Sequence, residues 1–137
     1  MASKINSFTK EERLCNKKLL SALFTNGSSF LLYPYRVTWQ FPNLVFGQFP
    51  VQVVIGVPKK RFKHSVDRNL LKRRMKEAYR LNKNIKLYPF LIEANLCLIL
   101  GVNYIGKEIL DYALIHKKMV LMIDQLLKIL KDNENLK

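Results

Sequence analysis

Six side chains between residues 65 and 82 repeat at a spacing that lets them act together. Arg68, Lys72, Lys76 and Arg80 recur every fourth residue, and Asn69 and Arg73 follow the first two by one position. At about 100° per residue, all six fall within about 140° of one helix circumference, while Leu71, Met75, Ala78 and Tyr79 occupy the arc from about 280° to 20° counted from Arg68. One helix therefore carries an apolar stripe and a cationic stripe side by side. A ridge of evenly spaced cations suits a phosphate backbone, and Arg adds two-toothed contacts to phosphates or base edges. Asn69 both donates and accepts, which suits a base or sugar contact, although a solvent-exposed or capping Asn explains it equally. The chemistry indicated is recognition of a polyanion.

No comparable set of groups serves bond cleavage. Asp67 and Glu77 are the only acids near the stripe, and Glu77 falls at about 180°, on another helix face, so the two do not make a two-metal site. His64 and His116 are isolated and read as loop or surface residues. Cys15 and Cys97 lack ligand spacing, which argues against a disulfide scaffold or a zinc module and for buried thiols in a reducing compartment. Gly101–Lys107 has the G-x₄-G-K spacing of a phosphate loop, but Glu108 stands where a Ser or Thr must hold magnesium. A strand-exit turn is the better account.

These residues need a scaffold. The 137 residues, 49% of them hydrophobic, fit a single domain over 1–137 with its core at about 8–131. Net charge is +14, and residues 59–86 alone hold twelve basic groups against Asp67 and Glu77. Solvated helix faces normally mix signs, so this local excess points to a nucleic-acid partner. The first residues lack the apolar core of a signal peptide and no run approaches a membrane span, so a cytoplasmic protein is expected.

Thr9-Lys10-Glu11-Glu12 has capping-box spacing and predicts a helix running through Leu14, Cys15, Leu19, Leu20, Leu23 and Phe24 to Asn26-Gly27. Pro34, Pro42, Pro50 and Pro58 punctuate the next stretch. Tyr35–Phe41 and Val51–Val57 read as strands, with Asn43–Phe49 a loop or short hairpin arm between them. Ser65 to about Asn82 is the basic helix, with Ser65 or Asp67 near its cap. Asn95–Val102 is a third strand, Asp111–Lys131 a long amphipathic helix and Asp132–Lys137 a frayed polar tail. The order α-β-β-(β)-α-β-α predicts an α+β sandwich: a small mixed or antiparallel sheet, helices packed on one face and an open cleft on the other.

Lys59-Lys60 followed by Ser65-Val66-Asp67-Arg68-Asn69-Leu70-Leu71-Lys72-Arg73-Arg74-Met75-Lys76-Glu77-Ala78-Tyr79-Arg80 resembles the signature of the bacterial ribonuclease P protein subunit. Arg13-Leu14 and Leu23-Phe24-x-x-Gly27 match that family in order and spacing. Three positions depart from its pattern. Leu70 replaces a basic residue, Leu20 replaces an aromatic one, and the loop after Lys60 is one residue longer. The resemblance implies a protein that assists a catalytic RNA in removing the 5′ leader of precursor tRNA. No cofactor is then expected on the protein itself, with Mg²⁺ serving the holoenzyme. It implies that Arg68, Asn69, Lys72, Arg73, Lys76 and Arg80 dock on the catalytic RNA. It further implies that Phe24, Trp39, Lys59 and Lys60 line a cleft for the single-stranded leader, where stacking and nearby cations are sequence-tolerant. Strand alternation admits either face for Trp39, and Phe24 serves equally well as a core residue.

A ribosome-associated or DNA-binding module is the competing reading. Duplex readout, however, asks for a recognition helix on a small helical domain. Attachment to a membrane surface asks for a free amphipathic helix, and this apolar stripe is committed to a core. No small-molecule substrate is expected.

Overall fold

A computed structural model describes residues 8–42 and 49–135. Helix α1 is Lys17–Asn26, β1 Ser28–Leu32, β2 Tyr35–Gln40, β3 Val51–Gly56, α2 Ser65–Asn82, α3 Tyr88–Ala94, β4 Leu98–Tyr104 and α4 Tyr112–Asn135. A 3₁₀ turn at Lys10–Glu12 precedes α1, and a π-helical turn at Lys83–Leu87 joins α2 to α3. The sheet order is β1-β2-β4-β3, with β3 parallel to β4 and the other pairs antiparallel. The reading of 43–48 as a loop or hairpin arm lies outside the described residues.

Pairing register decides which side chains meet. Val37 and Ile55 flank Val102, and Trp39 and Val53 flank Leu100, so apolar residues of three strands form continuous rows on one face. Helices α2 and α4 cover that face through Leu71, Met75, Ala78 and Tyr79 and through Ile115, Met119, Met122, Leu126 and Leu130. The Tyr35 hydroxyl donates to the Ile115 carbonyl at 2.8 Å, tying β2 to α4.

Trp39 belongs to this core. It is 6% exposed and packs edge-on against Phe41 at 5.5 Å, so it does not line the open face. The reason is parity: Tyr35, Val37 and Trp39 point inward, which sends Arg36, Thr38 and Gln40 outward.

The opposite face is only part-covered. Leu23 of α1 joins Leu14 and Ile99 there, backed by Leu19, Leu20 and Val54, so the helices are not all on one face. Gly101 makes the close seating possible, since a Cβ there would lie 3.3 Å from Leu23 and 3.4 Å from Phe24. Gly27 ends α1 where a Cβ would sit 2.4 Å from the Leu23 carbonyl.

The N-terminal segment differs from its sequence pattern. The Glu12 carboxylate accepts the Thr9 amide at 2.7 Å, but it caps only the 3₁₀ turn. Leu14 is then drawn out of any helix because its amide donates to the Val53 carbonyl at 2.9 Å, on the edge of β3. The α-helix starts three residues later, where the Asn16 side chain accepts from Lys18 N and Leu19 N.

Beneath this strap lies a dry polar cluster. The Lys83 ammonium donates to Glu12 Oε1, with side chains 1% and 0% exposed, and the Tyr88 hydroxyl donates to the same oxygen at 2.7 Å. Tyr79 donates to Tyr88 at 3.3 Å, and the rings of Phe8, Phe49 and Tyr88 surround the ammonium at 5.3–5.8 Å. Burial lowers the pKa of Lys83, with the bond to Glu12 opposing it, and burial raises those of Tyr79 and Tyr88.

Candidate nucleic-acid interface

Helix α2 runs from Ser65 to Asn82, the span its periodicity predicts. His64 precedes it at the N-cap position without a side-chain bond, Ser65 follows directly and Asp67 lies in the first turn, so both sit near the cap as expected. Asn69, Lys72, Arg73 and Lys76 line one shallow groove with Val66, which brings four of the six predicted residues together. No hydrogen bond or ion pair ties these four side chains down among the described residues, so they remain available to a ligand.

The other two do different work. Arg68 turns back, and its Nη1 donates to the carbonyls of Phe62 and Lys63 at 2.7 and 2.8 Å, fixing the loop that enters α2. Arg80 pairs with Glu77, donating from Nε to Oε2 at 3.0 Å, which lowers the pKa of the Glu77 carboxyl and raises that of Arg80. Arg74 is likewise committed, to the Leu110 carbonyl ahead of α4.

A second surface forms on the open sheet face. Phe24 is 52% exposed and lies over β4 at Gly101. The adjacent row holds Arg36, Asn103 and Gly56 in register, and β3 then leads through Pro58 to the exposed Lys59 and Lys60. Sequence reasoning missed Arg36 and Asn103. Their signal was the alternation of Tyr35–Gln40, which needed a partner strand to fix its parity.

Arg13 was also missed. It sits on the strap, where a cavity at the β3 edge joins it to Lys76 of the basic helix. Lys76 thus lines both that cavity and the α2 groove.

Among the described residues no three His, Cys, Asp or Glu side chains cluster as metal ligands, and no helix is long and apolar enough to cross a membrane. The Gly101–Lys107 motif is no phosphate loop, because its first four residues are strand β4.

Fold and surface together define a nucleic-acid-binding protein whose cationic helix is built into an α+β core. The family follows from comparison with known proteins. The ribonuclease P family model matches residues 8–100. The ribonuclease P protein component of Porphyromonas gingivalis is 31% identical over 111 residues, covering 81% of this chain and 80% of that protein. That of Chlorobium phaeobacteroides is 38% identical over 112 residues, 74% of each chain. In fold, the chain is similar to the Staphylococcus aureus RNase P protein, with a TM-score of 0.64, 18% identity and coverage of 88% of this chain and 95% of that one. The Thermotoga maritima protein gives 0.63 at 21% identity, covering 83% and 96%. The chain belongs to the ribonuclease P protein family, whose role is maturation of the 5′ end of tRNA. It is an RNA-binding component of a ribonuclease complex.

Proposed function

We propose that the α2 groove docks on the catalytic RNA subunit of ribonuclease P and that the open sheet face holds the 5′ leader of precursor tRNA. The observation that carries this reading is the pair of separate surfaces. Asn69, Lys72, Arg73 and Lys76 stand free on one, and a half-exposed Phe24 faces solvent on the other, over the sheet whose strand β3 leads to the exposed Lys59 and Lys60. A cationic groove tracks a backbone, while an aromatic over a sheet gives an unpaired base a stacking partner.

In this reading the RNA performs the hydrolysis, with Mg²⁺ held on RNA phosphates, and the protein binds and positions. Four carboxylates have partners of their own, Glu12 with Lys83, Glu77 with Arg80, Asp124 with Lys86, and Asp111 with the Leu114 amide. The side chains contribute charge neutralisation, so the holoenzyme should tolerate less Mg²⁺ than the RNA alone. The complex would act in the cytoplasm, where precursor tRNA is made.

Cleavage of a leader-bearing precursor tRNA at low Mg²⁺, with and without the RNA subunit, tests the assignment. The RNA plus protein should cleave, and the protein alone should not. Cleavage by the protein alone would overturn the division of labour.

A further inference from the structure

The cavity at the β3 edge has a chemistry that neither the α2 groove nor the sheet face shares. It measures about 130 Å³ and is lined by Phe8, Arg13, Leu14, Val54, Ile55 and Lys76, with Val53 behind them. At about 30 Å³ of liquid volume per water, that is room for about four water molecules or one aromatic ring system.

Its parts are complementary to one kind of ligand. The Arg13 guanidinium lies 5.7 Å from the centroid of the Phe8 ring, which also carries Lys83 at 5.6 Å. Phe8 is therefore already occupied by cations, and the plane offered to a ligand is that of the exposed Arg13 guanidinium. Leu14 and Val54 supply apolar walls. The strap pairs with β3 only at Val53 among the described residues. Strand alternation turns the Ile55 N–H and carbonyl to that same edge, beyond the reach of the strap, as a donor and an acceptor. Lys76 adds a cation shared with the α2 groove.

We propose that this cavity receives a single unpaired nucleobase of the bound RNA. The base stacks on Arg13, its edge bonds the Ile55 backbone, and its phosphate is held by Lys76. Guanidinium planes stack on splayed bases, and a base within a duplex has no free face to offer. The inference rests on RNA as the partner, and it adds capture of a base in a cavity beside the basic helix.

The test uses the full chain and two pentaribonucleotides of equal charge, one with 2-aminopurine at its centre and one abasic there. The base-bearing oligomer should bind at least about fivefold more tightly, as stacking predicts, and its emission should change on binding. Arg13→Lys keeps the charge but loses the plane, so it should abolish the preference while leaving affinity for the abasic oligomer unchanged. The emission change should persist in Phe24→Ala, which removes the stacking partner on the sheet face, and its loss there would overturn the proposal even if Arg13→Lys misfolds. Equal affinity for the two oligomers, without an emission change, overturns the proposal while the RNA reading stands. A preference that survives Arg13→Lys places the base elsewhere and overturns it as well. Binding of neither oligomer at low salt would sink the RNA reading itself.

Discussion

Lys72 and Arg68 stand one turn apart on α2, yet substituting them should give opposite results. Lys72 lines the groove, so Lys72→Ala should weaken assembly with the RNA subunit by about 1–3 kcal/mol at unchanged melting temperature. Arg68 is bonded to two loop carbonyls, so Arg68→Ala should cost about 1–2 kcal/mol of stability, low for charge-assisted bonds because the site is half buried. Thermal melts beside a filter-binding titration separate the two. The helical wheel already contained this distinction, since it set Arg68 within the arc of Leu71, Met75 and Tyr79. A charge count hid what the angle showed. Trp39 and Phe24 form a second contrast. Trp39→Ala should cost about 3–5 kcal/mol of stability through the cavity it leaves. Phe24→Ala should leave the fold nearly intact and weaken leader-bearing precursor tRNA by about 1–3 kcal/mol, with mature tRNA unaffected. Calorimetry and paired binding curves check both, and equal loss for the two tRNAs would remove Phe24 from the leader site.

The strap of residues 8–14 and the π-helical turn after α2 are held to each other by the Glu12–Lys83 pair. Removing one member leaves the other charged and dry, so Glu12→Gln or Lys83→Met should cost about 3–5 kcal/mol in urea unfolding. Glu12→Leu combined with Lys83→Met should recover part of that loss, because no buried charge remains; Tyr88 would still lack its acceptor. Local pattern sufficed where one element's own residues decide its structure. α2 spans its predicted residues, and β2 and β3 end one residue short of theirs. It failed where a distant partner decides. Ser28–Leu32 carries a weak strand signal and becomes β1 by pairing with β2 across the Tyr33-Pro34 turn. Leu14 leaves the helical pattern for Val53. Pro89 stands in the first turn of α3, where its missing N–H costs nothing. Asn95, placed at the start of the third strand, instead ends α3 in the left-handed region at φ 57°, so β4 begins at Leu98. The cationic groove was readable for the same reason as α2, being written on a single helix. The sheet-face residues Arg36 and Asn103 were not, because they are neighbours only once β2 and β4 pair.

A cationic band runs from the α2 groove through Lys76 to Arg13 at the β3 edge, and Lys59 and Lys60 add charge beyond the end of β3. If six to eight phosphates are neutralised along it, log K should fall with log salt at a slope of about −4 to −7. A slope near zero in a fluorescence titration would mean that the band is not the binding surface. The strand order β1-β2-β4-β3 has a further consequence, for how the chain comes into being. The strand made last lies inside the sheet, between β2 and β3, and the two join only through it. Until residues 98–104 leave the ribosome, the β1–β2 hairpin and the β3–α2 segment have no common backbone ladder. During that interval the most cationic stretch of the chain is already exposed, with nothing to hold it in its final shape. Native assembly of this sheet is therefore an event of late synthesis. A chain released before Leu98 should show no cooperative melting transition, whereas one released after Lys131 should show the full one.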